Sequence, residues 1–331
     1  MRGRLSSLVK IAVSLGLMGL LIRAVGWQET WHALRQARLL PLAGAAGLYM
    51  LTLLVRAVRW RILLGAQGIS ASTRRLAYLY FVGSFFNMVL PSGVGGDVVK
   101  VYELSRSGAG TLPHVEARVT SSVIADRASG LVVLFIMGVA VMPWASDRLS
   151  PAVIWGLALL TAGSLAGLAV LLNRRWRVWV EERVPGLSWL VRRRGLRALY
   201  ASLDAYSRPV LGRAALASLV FNGLIILVNV ALGLAFRLEV PLRYYVVFVP
   251  IISFLLVLPV SINGLGVREG GYVALFGQVG VPRESALAMS LAFYAITLLA
   301  GLIGGLLYTM NNLFSLGRSK AVQQADVEVS Q

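Results

Sequence analysis

Two stretches of this 331-residue chain decide its fold: FNMVLPSGVGGDVVK at residues 86–100 and FLLVLPVSINGLGVR at residues 254–268. They align without a gap at an offset of 168 residues and share six identities, which include the proline and a glycine. In each stretch an apolar run meets Pro91 or Pro259 and then a polar segment with glycines. Proline ends a helix, and glycine lets the backbone turn or approach a ligand closely. The pattern predicts two broken helices that belong to an internal repeat.

Six long apolar runs around these stretches predict helices that cross a membrane. The chain is 57% hydrophobic and only 14% charged, whereas a soluble domain has roughly 25% charged residues. A helix needs about 20 apolar residues to cross a bilayer. The composition excludes an ordinary soluble protein and predicts an all-α polytopic membrane protein. The runs are Val9 to Ile22, Leu39 to Val58, Val119 to Met142, Ala152 to Leu172, Ala214 to Phe236 and Ala286 to Leu313.

The distribution of positive charge predicts how the two broken segments enter the membrane, because cytoplasmic loops carry an excess of Lys and Arg. If Leu76 to Leu90 and Tyr244 to Ile262 turn back as re-entrant hairpins, 23 Lys and Arg lie inside and 8 outside, with Arg127 in the membrane. If both segments cross fully, the better orientation gives only 18 against 13. We therefore expect about six full spans, two re-entrant hairpins and both termini in the cytoplasm of a plasma (inner) membrane protein.

The two halves of the chain are expected to be inverted relative to each other. The first hairpin enters from the cytoplasm and the second from outside, and their flanking spans run in opposite directions. Inverted repeats of this kind place broken helices near the midplane, where alternating access moves a substrate. The expected units are residues 1–38 (first span and outer loop), 39–142 (first repeat, hairpin near 76–104), 143–213 (fifth-span region and basic interfacial loop), 214–314 (second repeat, hairpin near 244–277) and 315–331 (short polar cytoplasmic tail).

The net charge of +18 favours an anionic membrane partner. Apolar runs separate the arginines, so topology and lipid head groups explain the charge better than nucleic acid does, and we expect no nucleic-acid partner. The segment from Asn173 to Arg213 carries ten Arg among tryptophans and resembles an interfacial helix, which either recruits anionic lipid or only anchors the topology. With no cysteine, and with His32 and His114 as the only histidines, we expect neither a metal site nor a cofactor.

The two breaks combine residue types that suit an anionic ligand. Glycine lets backbone N–H groups approach a ligand at the positive pole of the second half-helix, and Lys100 or Arg268 adds a full positive charge about one turn later. The alternative is that the glycines serve packing of the hairpin, while the cations pair with Asp97 and Glu269. The candidate substrate-binding residues at the breaks are Ser92, Gly95, Gly96, Asp97, Lys100, Asn263, Gly264, Gly266, Arg268 and Glu269.

Charged residues inside other helices extend this candidate site. Asp126 and Arg127 lie in an apolar run, where one charge costs roughly 2.5 to 3.5 kcal/mol, so both are functional candidates. We expect one of them to meet a hairpin charge, for instance Asp126 with Lys100 or Arg268, and the other to line a wet cavity. A static ion pair is the alternative. At the inner end of the second span, the residues that either capture a lipid head group or anchor the helix at the interface are Arg56, Arg59 and Trp60.

At these residues the chain resembles the lysylphosphatidylglycerol synthase transmembrane region, also called the flippase-like integral membrane protein family, over nearly its whole length. The resemblance implies an inner-membrane protein that moves a lipid or lipid-linked group between leaflets, as the flippase half of the multiple peptide resistance factor does for aminoacylated phosphatidylglycerol. Because the tail past Arg318 is short, we expect a stand-alone member without the soluble synthase domain. The matching motifs are Arg59-Trp60-Arg61 with Leu63-Leu64, NMVLPSGVGGD at 87–97, Ser122 with DRASG at 126–130, Pro259-Val260-Ser261, and GLGVREG at 264–270.

Three functions remain open from the residues alone. The first is flippase-like or scramblase-like translocation of a phospholipid or lipid-linked anionic substrate by alternating access. The second is a membrane-embedded transferase or hydrolase acting on a lipid or lipid-linked sugar, with Asp97, Asp126 or Glu269 as acid or base. The third is an ion-coupled small-solute transporter. Since no histidine pair or nucleophile motif occurs, we expect no catalytic residues and a transport protein rather than an enzyme.

Overall fold

The computed structural model describes residues 16–90, 95–106, 114–183, 203–257 and 261–329, and all regular structure within these ranges is helical. The predicted all-α class is confirmed. Short 3-10 turns lie at Ser146–Arg148 and Ile262–Gly264. The α-helices are α1 (Gly16–Val25), α2 (Trp27–Arg35), α3 (Leu39–Ala66), α4 (Thr73–Val89), α5 (Gly95–Arg106), α6 (Val115–Ala145), α7 (Pro151–Leu172), α8 (Arg174–Arg183), α9 (Arg208–Ala235), α10 (Leu242–Val257), α11 (Val267–Gly277) and α12 (Arg283–Val329).

Five of these helices, α3, α6, α7, α9 and α12, are long and apolar enough to cross a membrane. They coincide with five of the six predicted spans. The remaining predicted span, Val9 to Ile22, begins outside the described residues, and its described part belongs to α1. The chain is therefore a polytopic membrane protein.

Each predicted break interrupts a helix. α4 ends before the first glycine-rich segment and packs against α5, which follows it, while α10 and α11 form a second pair in the same way. In the second break, Asn263, Gly264 and Gly266 have φ values of 51°, 73° and 83°. This left-handed region is open to glycine without a steric penalty, so the glycines permit the sharp change of direction. Pro91 and Pro259 lie outside the described residues.

The two halves pack by one common pattern. At the offset of 168 residues, α3 corresponds to α9, α4 to α10, α5 to α11, and α6 to the first part of α12. α4 packs on α12 just as α10 packs on α6, and α3 and α9 pack directly against each other. Such reciprocal pairing agrees with the predicted repeat. The opposite orientation of the halves in the membrane stays a prediction.

Glycines bring α12 close to α4. A Cβ atom at Gly304 would overlap the backbone carbonyl of Phe81, and one at Gly305 would lie 2.7 Å from the ring of Phe85. Small residues at such positions let two helix backbones approach closely in a membrane. This contact attaches the first hairpin to the last span.

The N-terminal helix covers the second hairpin. A Cβ atom at Gly266 would lie 2.5 Å from the Cβ atom of Leu17, and one at Gly270 would lie 4.0 Å from the side chain of Leu21. α1 therefore packs against the beginning of α11 and closes this side of the second break.

The basic segment after α7 begins with a helix, as the sequence predicts. In α8, Trp176 and Trp179 are both 54% exposed, and the guanidinium of Arg183 lies 4.4 Å from the ring centre of Trp179. Exposed tryptophans beside arginines are typical of a helix at the membrane interface. The continuation of this segment over residues 184–202 lies outside the described residues.

Candidate functional site

Asp126 is the centre of a buried polar network that joins four helices. It lies on α6 and is 2% exposed. Its Oδ1 accepts a hydrogen bond from Arg59 Nε of α3 at 2.6 Å, and its Oδ2 accepts one from the Tyr80 hydroxyl of α4 at 2.6 Å. Arg59 also donates to the Ser218 hydroxyl of α9 at 3.0 Å. Because these helices come from both halves, the network connects the two repeats.

The expected ion-pair partner of Asp126 is wrong. The sequence suggested Lys100 or Arg268, but the direct partner is Arg59. A glycine makes room for it, since a Cβ atom at Gly130 would lie only 2.8 Å from Arg59 Nη1. Gly130 follows Asp126 by four positions and so lies on the same face of α6. The guanidinium thus extends along a helix face without side-chain bulk.

A second group of charges lies at the beginning of α5. Lys100 Nζ lies 2.6 Å from Asp97 Oδ1, and the other oxygen of Asp97 contacts Arg127 Nε of α6. Lys100 is 4% exposed, and its ammonium lies 4.2 Å from the ring centre of Tyr80. A cation at this distance is attracted by the ring quadrupole. The expected pairing of Lys100 with Asp97 is therefore present, whereas ligand binding at this site stays a prediction.

Arg56 adds another cation beside the same ring. Its guanidinium lies 4.6 Å from the ring centre of Tyr80 and 5.6 Å from that of Phe221. Its Nε is buried and has no hydrogen-bond partner among the described residues. Aromatic rings, rather than a hydrogen bond at Nε, therefore hold this side chain in place.

These side chains together carry more positive than negative charge. Four cations face two carboxylates, so the described group has a net charge of +2. A buried charge is costly unless it is paired, and this excess therefore favours an anion nearby. We call this group the Asp126 cluster: Arg56, Arg59, Tyr80, Asp97, Lys100, Asp126 and Arg127.

The second half contains a neutral counterpart. Arg268 Nη2 lies 2.6 Å from Glu269 Oε1, and Arg268 Nε donates to the Ser290 hydroxyl at 3.3 Å. The guanidinium lies 4.5 Å from the ring centre of Tyr294, the residue that corresponds to Asp126 at the 168-residue offset. The expected pairing of Arg268 with Glu269 is present here as well. The two halves thus share an architecture but differ in charge.

At the beginning of both α5 and α11, a side chain of the protein accepts a hydrogen bond from a backbone N–H group. The N–H of Gly96 donates to Asn87 Oδ1 at 2.8 Å, and the N–H of Gly266 donates to Glu269 Oε2 at 2.6 Å. Helix N-termini have N–H groups that need such acceptors. In this conformation an incoming phosphate would have to displace these acceptors to reach the two helix ends.

The predicted residues lie at several different places in the structure. Gly95 and Gly96 begin α5 beside the Asp126 cluster, and Asn263 and Gly264 lie in the second break next to the Arg268 pair, whereas Ser92 lies outside the described residues. Trp60 is 0% exposed. The predicted residues that lie in the Asp126 cluster are Arg56, Arg59, Asp97, Lys100, Asp126 and Arg127.

Arg59 and Trp60 are buried rather than placed at the membrane surface. Arg59 is 2% exposed, and Trp60 donates from Nε1 to the Ser122 hydroxyl at 2.9 Å. Both side chains join α3 to α6 because their polar atoms find partners on that helix. In this conformation neither reaches a lipid head group at the interface.

Sequence reasoning missed Tyr80 and Ser218. Ser218 had a detectable signal, because Ser218 and Asn222 are polar residues four positions apart in an apolar run, and Asn222 Nδ2 donates to the carbonyl of Gly130 at 2.9 Å. Tyr80 had none, since one tyrosine in an apolar helix is commonplace.

A cleft of about 750 Å³ opens between α5 and α6 beside the cluster. Arg127 lines it and also pairs with Asp97 of the first hairpin, so one residue takes both of the roles that the sequence analysis divided between Asp126 and Arg127, and the presence of water in the cleft stays a prediction. We call it the α5–α6 cleft, and it is lined by Asp97, Val98, Val101, Tyr102, Ser105, Arg106, Glu116, Thr120, Val123, Ile124 and Arg127.

The similarity to known proteins covers most of the chain. A UPF0104 membrane protein of Methanothermobacter thermautotrophicus is 25% identical over 339 aligned positions, which cover 91% of this chain and 92% of that protein. The family model described as the lysylphosphatidylglycerol synthase TM region matches residues 7–305, a range that includes both hairpins and the Asp126 cluster. The chain therefore belongs to the lysylphosphatidylglycerol synthase transmembrane-region family.

Proposed function

We propose that this protein moves an anionic phospholipid, or another lipid-linked anionic group, between the leaflets of the membrane. The observation that carries the proposal is the net charge of +2 on the Asp126 cluster, which lies among helices that span a membrane. A phosphodiester supplies the negative charge that such a cluster favours. Membership in a lipid-related family supports the same substrate class.

Binding of the phosphate beside Asp97 would lower the barrier to this movement. Asp97 holds both Lys100 and Arg127, so a phosphate that joins this group finds two cations already in position. The cations stay paired throughout, which avoids the cost of an isolated charge in the bilayer. The head group is thus transferred between protein partners without passing through hydrocarbon unpaired.

Alternating access in this proposal comes from motion of one repeat against the other. The hydrogen bond from Arg59 to Ser218 joins α3 to α9, so the cluster lies at the junction of the two halves. In known inverted-repeat transporters, rocking of one repeat exposes a fixed site to each side in turn. The proposal places the protein in the plasma membrane with both termini in the cytoplasm, as the Lys and Arg distribution favours.

Leaflet exchange of fluorescent lipids in proteoliposomes tests the proposal. The variant Arg56→Gln removes one cluster charge, and Arg61→Gln is the matched control because Arg61 lies on the same helix but is exposed. Loss of one charge-assisted contact costs roughly 1.5 to 3 kcal/mol, or roughly 10- to 150-fold in rate. We expect the exchange rate of anionic lipid to fall by this factor in Arg56→Gln and to stay close to the wild-type rate in Arg61→Gln.

Two results would contradict the proposal. Wild-type protein that is folded but exchanges no lipid faster than protein-free vesicles would refute lipid translocation. Equal rates of lipid exchange in Arg56→Gln and Arg61→Gln would show that the charge of the cluster plays no part in transport. Uptake of a labelled solute by the same vesicles, without lipid exchange, would instead identify a solute transporter.

A further inference from the structure

We infer that the α5–α6 cleft is the lateral passage through which a phospholipid head group moves between the bilayer and the Asp126 cluster, while its acyl chains remain in the bilayer. This inference rests on the proposed function and adds the place at which the lipid reaches the protein. The occupant is a phospholipid with an anionic phosphate.

The walls of the cleft suit contact with acyl chains. Val98, Tyr102 and Ile124 are 63%, 54% and 45% exposed, although they lie on two helices next to the buried cluster. Large apolar side chains with this exposure, in a chain that crosses a membrane, face lipid. The cleft therefore has exposed apolar walls that acyl chains can contact.

The cleft has charged residues at both ends. Asp97 and Arg127 form an ion pair at the inner end, next to the cluster, and Arg106 and Glu116 lie at the other end. From Asp97 to Arg106 the helix rises by roughly 14 Å at 1.5 Å per residue, which is about half of a hydrocarbon core roughly 30 Å thick. Along the axis of α5 the cleft is thus about as long as one leaflet is thick, and it has an arginine at each end to receive a phosphate.

A hydroxyl group near the Arg106 end of the cleft has no hydrogen-bond partner among the described residues. Ser105 is 7% exposed and lines the cleft, and its Oγ makes no hydrogen bond to any described residue. Burial of an unsatisfied hydroxyl is costly, so such groups are usually paired. A phosphate oxygen that travels from Arg106 to Arg127 would pass this hydroxyl and provide the acceptor.

The charge at the inner end matches a phosphodiester. Lys100 and Arg127 both pair with Asp97, so two cations lie beside this carboxylate at the inner end of the cleft. The Arg127 side chain is 37% exposed, so an anion in the cleft can reach it. A head group that arrives there with one negative charge completes the balance.

The equivalent side of the second hairpin is closed by protein. Gly266, at the beginning of α11, lies against Leu17 of α1, whereas the beginning of α5 borders the cleft. The two hairpins therefore differ in lateral access, and the accessible one is the hairpin beside the +2 cluster.

Single cysteines in this chain, which has none, test the passage by fluorescence quenching. Ile124→Cys places a bimane label in the cleft, and Ile136→Cys is its control, because both positions are on α6 and are 45% and 43% exposed. The vesicles contain phosphatidylcholine with a minor fraction of phosphatidylglycerol that carries brominated acyl chains. At position 124 we expect quenching several times greater than a random distribution of the brominated lipid around the protein would produce. At position 136 we expect the quenching of a random distribution.

Two further measurements separate specific occupation from ordinary boundary lipid. If brominated phosphatidylcholine replaces the brominated phosphatidylglycerol at the same fraction, the excess quenching at position 124 should disappear. It should also disappear with brominated phosphatidylglycerol when the labelled chain carries Arg127→Gln. Equal quenching at both positions, or an excess that does not depend on the head group, would overturn the inference.

The transport readout distinguishes failure of the passage from failure of the proposed function. Ile124→Trp fills the cleft and Ile136→Trp is the control, and both are compared at equal thermal stability. We expect anionic lipid exchange to fall by about tenfold or more in Ile124→Trp only, equal to a barrier increase of about 1.4 kcal/mol. Equal rates in both variants would overturn the passage alone, whereas a wild-type protein without exchange would refute the proposed function.

Discussion

Substitution of Asp126 by asparagine is the most direct test of the Asp126 cluster. Asparagine keeps the shape of the side chain and an oxygen that can accept from Arg59, but it removes the negative charge that lies 2.6 Å from Arg59 Nε. The net charge of the cluster rises from +2 to +3. We therefore expect Asp126→Asn to destabilise the protein without rearranging its helices.

The size of the effect follows from the geometry of the pair. Two unit charges about 4 Å apart interact by about 4 kcal/mol at an effective dielectric constant of about 20, and removal of one partner of a buried ion pair costs roughly 3 to 5 kcal/mol. Tyr80→Phe removes only the hydrogen bond to Asp126 Oδ2, which is worth roughly 1.5 to 3 kcal/mol. Asp126→Asn should therefore be the more damaging of the two variants.

The free energy of unfolding is measured for each variant in mixed micelles. Unfolding is induced by raising the mole fraction of dodecyl sulfate and is followed by tryptophan fluorescence. Asp147→Asn is the control, because it makes the same change at a side chain that is 51% exposed and that contacts both Arg243 and the Tyr244 hydroxyl. The exposed ion pair itself is worth under about 1 kcal/mol. The reasoning is refuted if Asp126→Asn costs no more than Asp147→Asn. A double variant with Arg59→Met and Asp126→Leu provides a second test. If its loss of unfolding free energy equals the sum of the losses in the two single variants, the residues do not interact, because a true pair couples by about 0.5 to 3 kcal/mol.

Two further predictions concern packing and topology. Gly304→Ala should lower the unfolding free energy by about 1 to 3 kcal/mol, because the new methyl group would overlap the carbonyl of Phe81 and force overpacking; Gly167→Ala, with open space around it, should have no such cost in the same assay. Arg74→Cys and Leu242→Cys lie at equivalent exposed positions of the two hairpins, 168 residues apart. An impermeant thiol reagent should label the first from the cytoplasm and the second from outside, and labelling of both from one side would contradict the inverted orientation.

Local signals in the sequence were sufficient to locate the two breaks and the spans. Proline and glycine act on the backbone within a few residues, so the ends of α4 and α10 could be predicted from the composition around Pro91 and Pro259. Hydropathy is likewise a sum over neighbouring residues, and five predicted spans coincide with five long helices.

The partner of Asp126 could not be predicted in the same way. Arg59 is 67 positions away in the sequence, and which faces of α3 and α6 meet depends on the rotation and packing of both helices. An apolar run gives the length of a span but not its orientation around its own axis. The α2 helix was missed for another reason: nine residues are too few for a hydropathy signal, although the four-residue spacing of Trp27, Trp31 and Arg35 agrees with the stacking found there.

The contact between α1 and the second hairpin has a consequence for biosynthesis. Leu17 and Gly266 are about 250 residues apart in the chain, and translation at about 5 to 20 residues per second separates their synthesis by roughly 12 to 50 seconds. During that interval the first helix resides in the bilayer without its final neighbour. The side of α1 that later contacts the hairpin must therefore also be compatible with lipid, and the two elements can dock only after α11 has been synthesised.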